Sequence, residues 1–324
     1  MPEAYTIDIH LGPADLAAAL RDDVLHGLTD TPKHLPPKWH YDARGSALFD
    51  AITRLPEYYL TRCERAILEE HAAEIATAAG ADTLIELGSG TSAKTRLLLS
   101  AMSAAGTLER FVPFDVDEAT LRAAAAAIGE EYPGIRVHAV VGDFERHLPM
   151  LPGGGTRMVA FLGSTIGNLT PPVRARFLAD LAGALVPGDM LLLGVDLVKS
   201  PERILRAYDD PGGVTAAFSR NVLRILNDRL DADFDPEAFD HVPRWSPADE
   251  WVDIRLRAQS AHAVRIADLD LRVEFAAGEE IHTEISAKFR RDRLSEELAA
   301  SGLEIRCWWT DPTEGFGVAL AWRL

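Results

Sequence analysis

Residues 83–102 read TLIELGSGTSAKTRLLLSAM, and this stretch decides the fold. TLIEL is a short apolar run of the kind that forms a strand buried on both faces. GSG places glycines at 88 and 90, as a tight turn requires, and TRLLLSAM resumes with helix formers. Strand, glycine turn and helix in that order open a doubly wound sheet. Downstream, the unit repeats. FVPFDVD (111–117) predicts a second strand, ATLRAAAAAIGEEY (119–132) a helix, and IRVHAVVGDF (135–144) a third strand. MVAFLGSTIGNL (158–169) contains a fourth, Thr170-Pro171 opens another helix, and MLLLGVDLV (190–198) is a fifth. Apolar strands with helices between them predict a parallel sheet covered on both faces.

The flanks break this rhythm. Residues 13–28 have helical periodicity, LTDTPKHLPPKWHYD (28–42) is a Pro-rich loop, and Ser46 to Leu55 is helical before a PEYY turn. Thr61-Arg62-Cys63-Glu64 has capping-box spacing for a helix that ends at Gly80. Residues 201–231 are helical around Pro211-Gly212-Gly213. Residues 251–288 then predict three strands, with AAGEE (276–280) as a hairpin turn. LEIRCWWTDPTEGFGVALAWRL (303–324) predicts two more. A doubly wound core interrupted by a second module is the expected organisation.

The 324 residues are 47% hydrophobic and 26% charged, a globular composition with ample core. Lys and Arg total 33 against 50 Asp and Glu, giving −17. That sign argues against nucleic acid or an anionic membrane as partner, and otherwise serves solubility. No basic segment followed by an apolar one precedes Arg21, and no apolar run approaches a membrane span. Cys63 and Cys307 make no CxxC pair, and the ten His show no close metal-ligand spacing. A soluble, cytoplasmic, metal-free protein is expected.

Ligands of an open parallel sheet bind beyond the carboxyl ends of its strands. Those ends carry Glu86 to Gly90, then Asp115 and Asp117, then Gly142-Asp143-Phe144, then Gly163 to Asn168. Glycines admit backbone to a ligand, an acid after the second strand suits ribose hydroxyls, and Asp143 with Phe144 suits an adenine. A ligand-free tight turn remains open for Gly88 and Gly90, but acids recur at the next two ends. A dinucleotide competes, although Ala93 occupies the third glycine position of its fingerprint. E-x-G-x-G followed by these acids suits S-adenosylmethionine better. Lys94 can pair with that cofactor's carboxylate or stand as a solvated helix lysine.

Residues 281–288 alternate cleanly, which places Ile281, Thr283, Ile285 and Ala287 on one side. His282, Glu284, Ser286 and Lys288 would take the other. Glu284 beside Ser286 can hold an imidazole, but unaided the pair reads as a solvent face. Tyr41, Phe49, Tyr58, Tyr59 and Tyr208 read as packing residues.

Seven segments together carry a resemblance. They are LPPKWHYDARGSALFDAITRLPEYYLTRCERAIL (35–68), IELGSGTSAKTRLLL (85–99), PFDVD (113–117), GDFE (142–145), FLGSTIGNL (161–169), AYDD (207–210) and TEISAKF (283–289). The chain resembles the histidine Nα-methyltransferases, which use S-adenosylmethionine to make hercynine in ergothioneine biosynthesis. The likeness runs from about Leu16 nearly to the carboxyl terminus.

The resemblance implies an α/β fold, a Rossmann-like doubly wound core over 63–198 plus 289–324. A second α+β substrate-binding domain over 1–62 plus 199–288 accompanies it. It implies cofactor contacts at Gly88, Lys94, Asp115, Asp143 and Phe144, and histidine carboxylate contacts at Asn168 and Tyr208. Tyr58, Glu284 and Ser286 would hold the imidazole, with Ile285 between the last two counted in the substrate site. Tyr41 and Phe49 match aromatic positions near the amine, Tyr41 as the catalytic candidate. His40 stands where the resemblance implies Phe, and Ile254 where it implies Met, so pocket shape is affected. No metal, nucleic acid or membrane is implied, and a monomer is expected. A methyltransferase acting on another small amine and a non-enzymatic cofactor-binding module remain alternatives.

Overall fold

Eight strands of the computed structural model, which describes residues 5–90, 92 and 94–324, form one sheet. Their order is Thr6–Ile9, Arg136–Val141, Arg110–Asp115, Thr83–Leu87, Arg157–Phe161, Met190–Asp196, Phe316–Arg323 and Leu303–Thr310. The first six run parallel, while Phe316–Arg323 is antiparallel to both its neighbours. Every residue of Thr83–Leu87, Arg157–Phe161 and Met190–Asp196 is buried, as sheet strands covered on both faces must be. The chain order reverses at Thr83–Leu87, whose neighbours are Arg110–Asp115 on one side and Arg157–Phe161 on the other. That reversal opens the crevice in which doubly wound sheets take ligands. Thr91 and Ala93, the latter at the third glycine position, lie outside the described residues.

This sheet belongs to the first of two units, made of residues up to Gly12 with Leu60–Val198 and Lys288–Leu324. The amino-terminal segment corrects the expected boundary: Thr6–Ile9 pairs with His138–Val141 and extends the core sheet. At four residues, TIDI is too short for its period to register. The capping-box reading is also corrected. The helix Leu60–Ala79 begins one residue before Thr61, and Glu64 joins its buried stripe with Leu60, Ile67 and Leu68. A helix over Arg291–Ala300, unforeseen, precedes the last two strands.

The second unit comprises Pro13–Tyr59 and Lys199–Ala287. Its sheet runs Lys33–His34, Glu280–Ala287, Trp251–Ala258, Phe239–Ser246, and a separate pair joins His262–Ile266 to Leu271–Phe275. Val24 and Leu28 of one helix, Val222 and Leu226 of another, and Leu256, Phe275 and Ile281 from the strands share its core. Four strands therefore occupy 251–288 rather than three, with Phe239–Ser246 added before them. AAGEE is not a hairpin turn: the strands it joins pair with different partners, and Gly278 N donates to Ala258 O at 2.8 Å.

Candidate active site

In the first unit, the glycine turn after Thr83–Leu87 is shaped by backbone sign and by Asp115. Gly88 and Gly90 have φ of +69° and +47°, a region that favours glycine, and among the described residues, their chain neighbours aside, no atom lies within 4 Å of where either would carry a Cβ. Gly90 N donates to Asp115 Oδ2 at 2.8 Å and Asp117 N donates to Oδ1 at 3.0 Å. Burial raises the Asp115 carboxyl above the usual range, and these backbone donors oppose the shift. Asp117 is occupied differently: it caps the helix Glu118–Glu131 by accepting from Ala119 N and Thr120 N.

Glu86, two residues before the turn, is buried. One oxygen accepts from the Thr95 hydroxyl, and Oε2 has no hydrogen-bond partner among the described residues. Desolvation pushes its carboxyl up to about 7, against the hydrogen bond from Thr95. At the third strand end, Asp143 Oδ1 accepts from Glu145 N at 2.8 Å. Phe144 is held edge-on by Phe161 at 5.3 Å and Phe177 at 5.8 Å, which leaves it half-buried with a fixed ring. Asn168 closes a short helical turn, Thr165–Asn168, which begins beside Ser164 at a left-handed φ of 59°. Ser164 Oγ accepts from Asp196 N at 3.0 Å, fixing that turn to the end of the neighbouring strand.

Lys94 is not a solvated helix lysine. Its ammonium pairs with the fully buried carboxylate of Glu64, whose Oε1 also accepts from Gly163 N at 2.6 Å. Sequence reading missed Glu64. Its signal was an acid falling on the apolar stripe of a helix.

In the second unit, aromatic rings form a continuous series. Tyr41 meets Phe49 at 5.9 Å, Phe49 meets Tyr58 at 6.3 Å, and Tyr58 meets Tyr208 at 6.4 Å. The Tyr208 hydroxyl then lies 2.7 Å from Ser286 Oγ. His241 Nε2 donates to Tyr208 O at 2.8 Å and so fixes the backbone behind that ring. Phe218, also missed, touches Tyr41 at 5.3 Å and Phe49 at 5.9 Å. Tyr58 and Tyr208 are buried, whereas Tyr41 is 46% exposed.

The alternation predicted for 281–288 breaks at a β-bulge. Ile281 pairs with Leu256 and His282 with Arg255, but Glu284 pairs with Ile254 and Ser286 with Val252. Directly opposed residues share a face. Thr283 is therefore the extra residue, and past it the phase inverts. Glu284 and Ser286 fall on the same face as Ile281 and Leu256, not opposite them. Ile285 turns to the other face with Asp253. Ile254, buried and directly across from Glu284, is a wall of this patch. His40 is buried under the series, its ring stacked on Phe218 at 5.1 Å.

Among the described residues, no group of three His, Cys, Asp or Glu is placed to hold a metal ion, and no helix is long and apolar enough to cross a membrane. The groups at the strand ends of the first unit are of the kinds that suit a nucleoside with a charged amino-acid tail, and the aromatic series with Ser286 in the second is of the kind that suits a small aromatic, hydrogen-bonding ligand.

Comparison with known proteins leads to the same chemistry. The model of a family described as histidine-specific, SAM-dependent methyltransferase matches residues 20–323. A histidine N-alpha-methyltransferase of Mycolicibacterium smegmatis is 60% identical over 314 residues, covering 97% of this chain and 98% of that protein. One from Mycobacterium tuberculosis is 59% identical over 312 residues, covering 96% and 97%. Ergothioneine biosynthesis protein 1 of Neurospora crassa is 36% identical over 205 residues, 61% of this chain and 23% of that protein. With a match spanning nearly its whole length, this chain belongs to the histidine-specific, S-adenosylmethionine-dependent methyltransferase family.

Proposed function

We propose that this protein transfers methyl groups from S-adenosylmethionine to the α-amine of L-histidine until it is trimethylated, giving hercynine, the first step of ergothioneine biosynthesis. The observation that carries the proposal is that the bulge at Thr283 turns Glu284 and Ser286, already together by the strand's two-residue period, to the face of Ile254, with Ser286 bonded to Tyr208. A carboxylate acceptor beside a hydroxyl matches the two nitrogens of imidazole. No other common side chain presents that pair of groups on a ring.

The open glycine turn and the Asp115 carboxylate fit the cofactor. In this reading the backbone at Gly88 approaches its amino-acid tail, Lys94 pairs with the carboxylate, Asp115 accepts from the ribose, and Asp143 with Phe144 takes the adenine. The bound cofactor supplies an electrophilic methyl on sulfonium sulfur.

The chain's own contribution is to hold a neutral amine in line with that methyl. Asn168 and Tyr208 would take the histidine carboxylate, and Tyr58, Glu284 and Ser286 the ring, with Ile254 beside Glu284 on the same face and the side chain of Ile285 on the other. Alignment of this kind removes roughly 7–11 kcal/mol of barrier. Tyr41 accepts a hydrogen bond from the amine, but a neutral phenol is a weak base, so water carries the proton away. The faces of Tyr41 and Phe49 accommodate the growing methylammonium cation. A monomer in the cytoplasm suffices, with no metal.

The test incubates purified protein with S-adenosylmethionine and each common amino acid in turn, reading products by mass spectrometry. Mono-, di- and trimethylhistidine are expected, and methylation of another amino acid in their place would overturn the assignment.

A further inference from the structure

Glu64 presents a chemical puzzle. The helix Leu60–Ala79 buries one stripe, and Glu64 lies on it between Leu60 and Leu68 with no exposed side-chain surface. A buried carboxylate is costly to desolvate, and an apolar residue would continue the stripe without that cost. The surroundings are nevertheless built to receive a carboxylate. Lys94 pairs with Oε2, Gly163 N donates to Oε1 at 2.6 Å, and Gly194 leaves the space that Oε1 fills. A Cβ on Gly194 would lie 2.1 Å from Oε1, so the strand Met190–Asp196 gives up a side chain there.

The two partners lead in different directions. Lys94 is 25% exposed while Glu64 is at 0%, so the carboxylate stands behind the ammonium and leaves it partly open. Gly163 opens the segment that runs through Ser164 into the turn Thr165–Asn168. One buried carboxylate thus fixes a cofactor-facing lysine and the root of the turn that carries Asn168.

We propose that Glu64 is a positioning residue for both ligands: through Lys94 it orients the contact to the cofactor carboxylate, and through Gly163 it sets the turn that presents Asn168 to histidine. This rests on the functional reading above, which makes Lys94 and Asn168 ligand contacts. It extends that reading to a residue the ligands need not touch. Glu64 orients Lys94 and does not replace it, so its effect on cofactor binding must pass through the lysine.

The experiment measures binding of S-adenosylhomocysteine and of L-histidine by calorimetry to the wild-type chain, Glu64→Gln, Lys94→Met and the double variant. A thermal melt accompanies each. Gln keeps the size and an acceptor for Gly163 N but removes the charge that holds Lys94. The expected result is an S-adenosylhomocysteine Kd raised about tenfold in Glu64→Gln with a cooperative melt retained, and a histidine Kd raised about threefold. Lys94→Met should then cost far less in the Glu64→Gln background than in wild type, since contacting residues couple. Unchanged Kd values in Glu64→Gln, or losses that simply add with Lys94→Met, would overturn the proposal. Should Glu64→Gln give no cooperative melt, Glu64→Asp carries the same test. It keeps the charge but withdraws it by one methylene, and an unchanged S-adenosylhomocysteine Kd there overturns the proposal equally. A wild-type chain that binds neither ligand overturns the functional reading itself, and the inference with it.

Discussion

The hydroxyl of Tyr208, the last residue of the helix Pro201–Tyr208, lies 2.7 Å from Ser286 Oγ on the strand Glu280–Ala287. Either oxygen can donate, so the pair can reverse its polarity to suit a ligand nitrogen that is protonated or bare. Ser286→Ala should therefore raise the histidine Kd about tenfold while S-adenosylhomocysteine binding stays within about twofold. Glu284→Ala, which removes a charged acceptor, should cost about ten- to a hundredfold. Calorimetry with each ligand separates the effects. Equal loss of both ligands would make these residues structural.

Asp115 accepts from Gly90 N and Asp117 N, and under the proposed function it would also offer acceptor capacity to a ribose. Asp115→Asn retains the shape but exchanges one acceptor oxygen for a donor beside those amides. The KM for S-adenosylmethionine is expected to rise about tenfold or more, with that for histidine changed far less. Steady-state kinetics with each substrate varied in turn checks this. Parallel rises in both would reassign Asp115 to general stability.

Glu86 predicts an unusual pH dependence. The unfolded chain releases this proton near 4.5, whereas burial holds it in the folded chain up to about 7. Between those values the folded state binds the extra proton, so stability falls as pH rises, and the loss is complete above about 7. The full effect is about 3 kcal/mol. Glu86→Gln should flatten this part of the profile in thermal melts of the ligand-free protein between about pH 5 and 8. A slope unaltered by the substitution would mean that Glu86 is ionised in the fold throughout.

His40 predicts the opposite slope. Its ring is buried with Nδ1 donating to Pro37 O at 2.9 Å and Nε2 without a partner among the described residues. Desolvation lowers its pKa from 6.5 to about 4. As pH falls through 6.5 the unfolded chain gains a proton that the folded ring refuses until about 4, so stability drops across that window. His40→Phe keeps an aromatic ring against Phe218 and should raise the melting temperature at about pH 5 by about 4 °C. The gap should narrow toward about pH 8. A constant difference at every pH would mean that packing, not charge, sets it.

The residues that the sequence made legible sit where local pattern and tertiary placement agree. Gly88, Asp115, Asp143 and Asn168 follow apolar runs long enough to be read as strands, and strand ends in such a sheet converge on one side. Glu64 was misread because Thr61 and Glu64 have a cap's spacing, while the helix start depends on a turn geometry that spacing does not encode. Glu284 and Ser286 were recognised as a pair but placed on the wrong face. A bulge adds one residue without altering the alternation of residue types, so Thr283 is invisible until the opposing strand is known. Strand pairing across AAGEE failed similarly, because a Gly-containing turn says that the chain bends and not which strand it joins.

The strand Phe316–Arg323 lies between Met190–Asp196 and Leu303–Thr310, an interior place for a segment made late. As the chain leaves the ribosome, MLLLGVD has no partner on that side until residues 199–315 have followed, a wait on the order of ten seconds. An apolar strand edge open that long invites pairing with other nascent chains. The inserted unit needs nothing beyond Ala287. The unit interrupted by the insertion thus begins first in synthesis and is completed last.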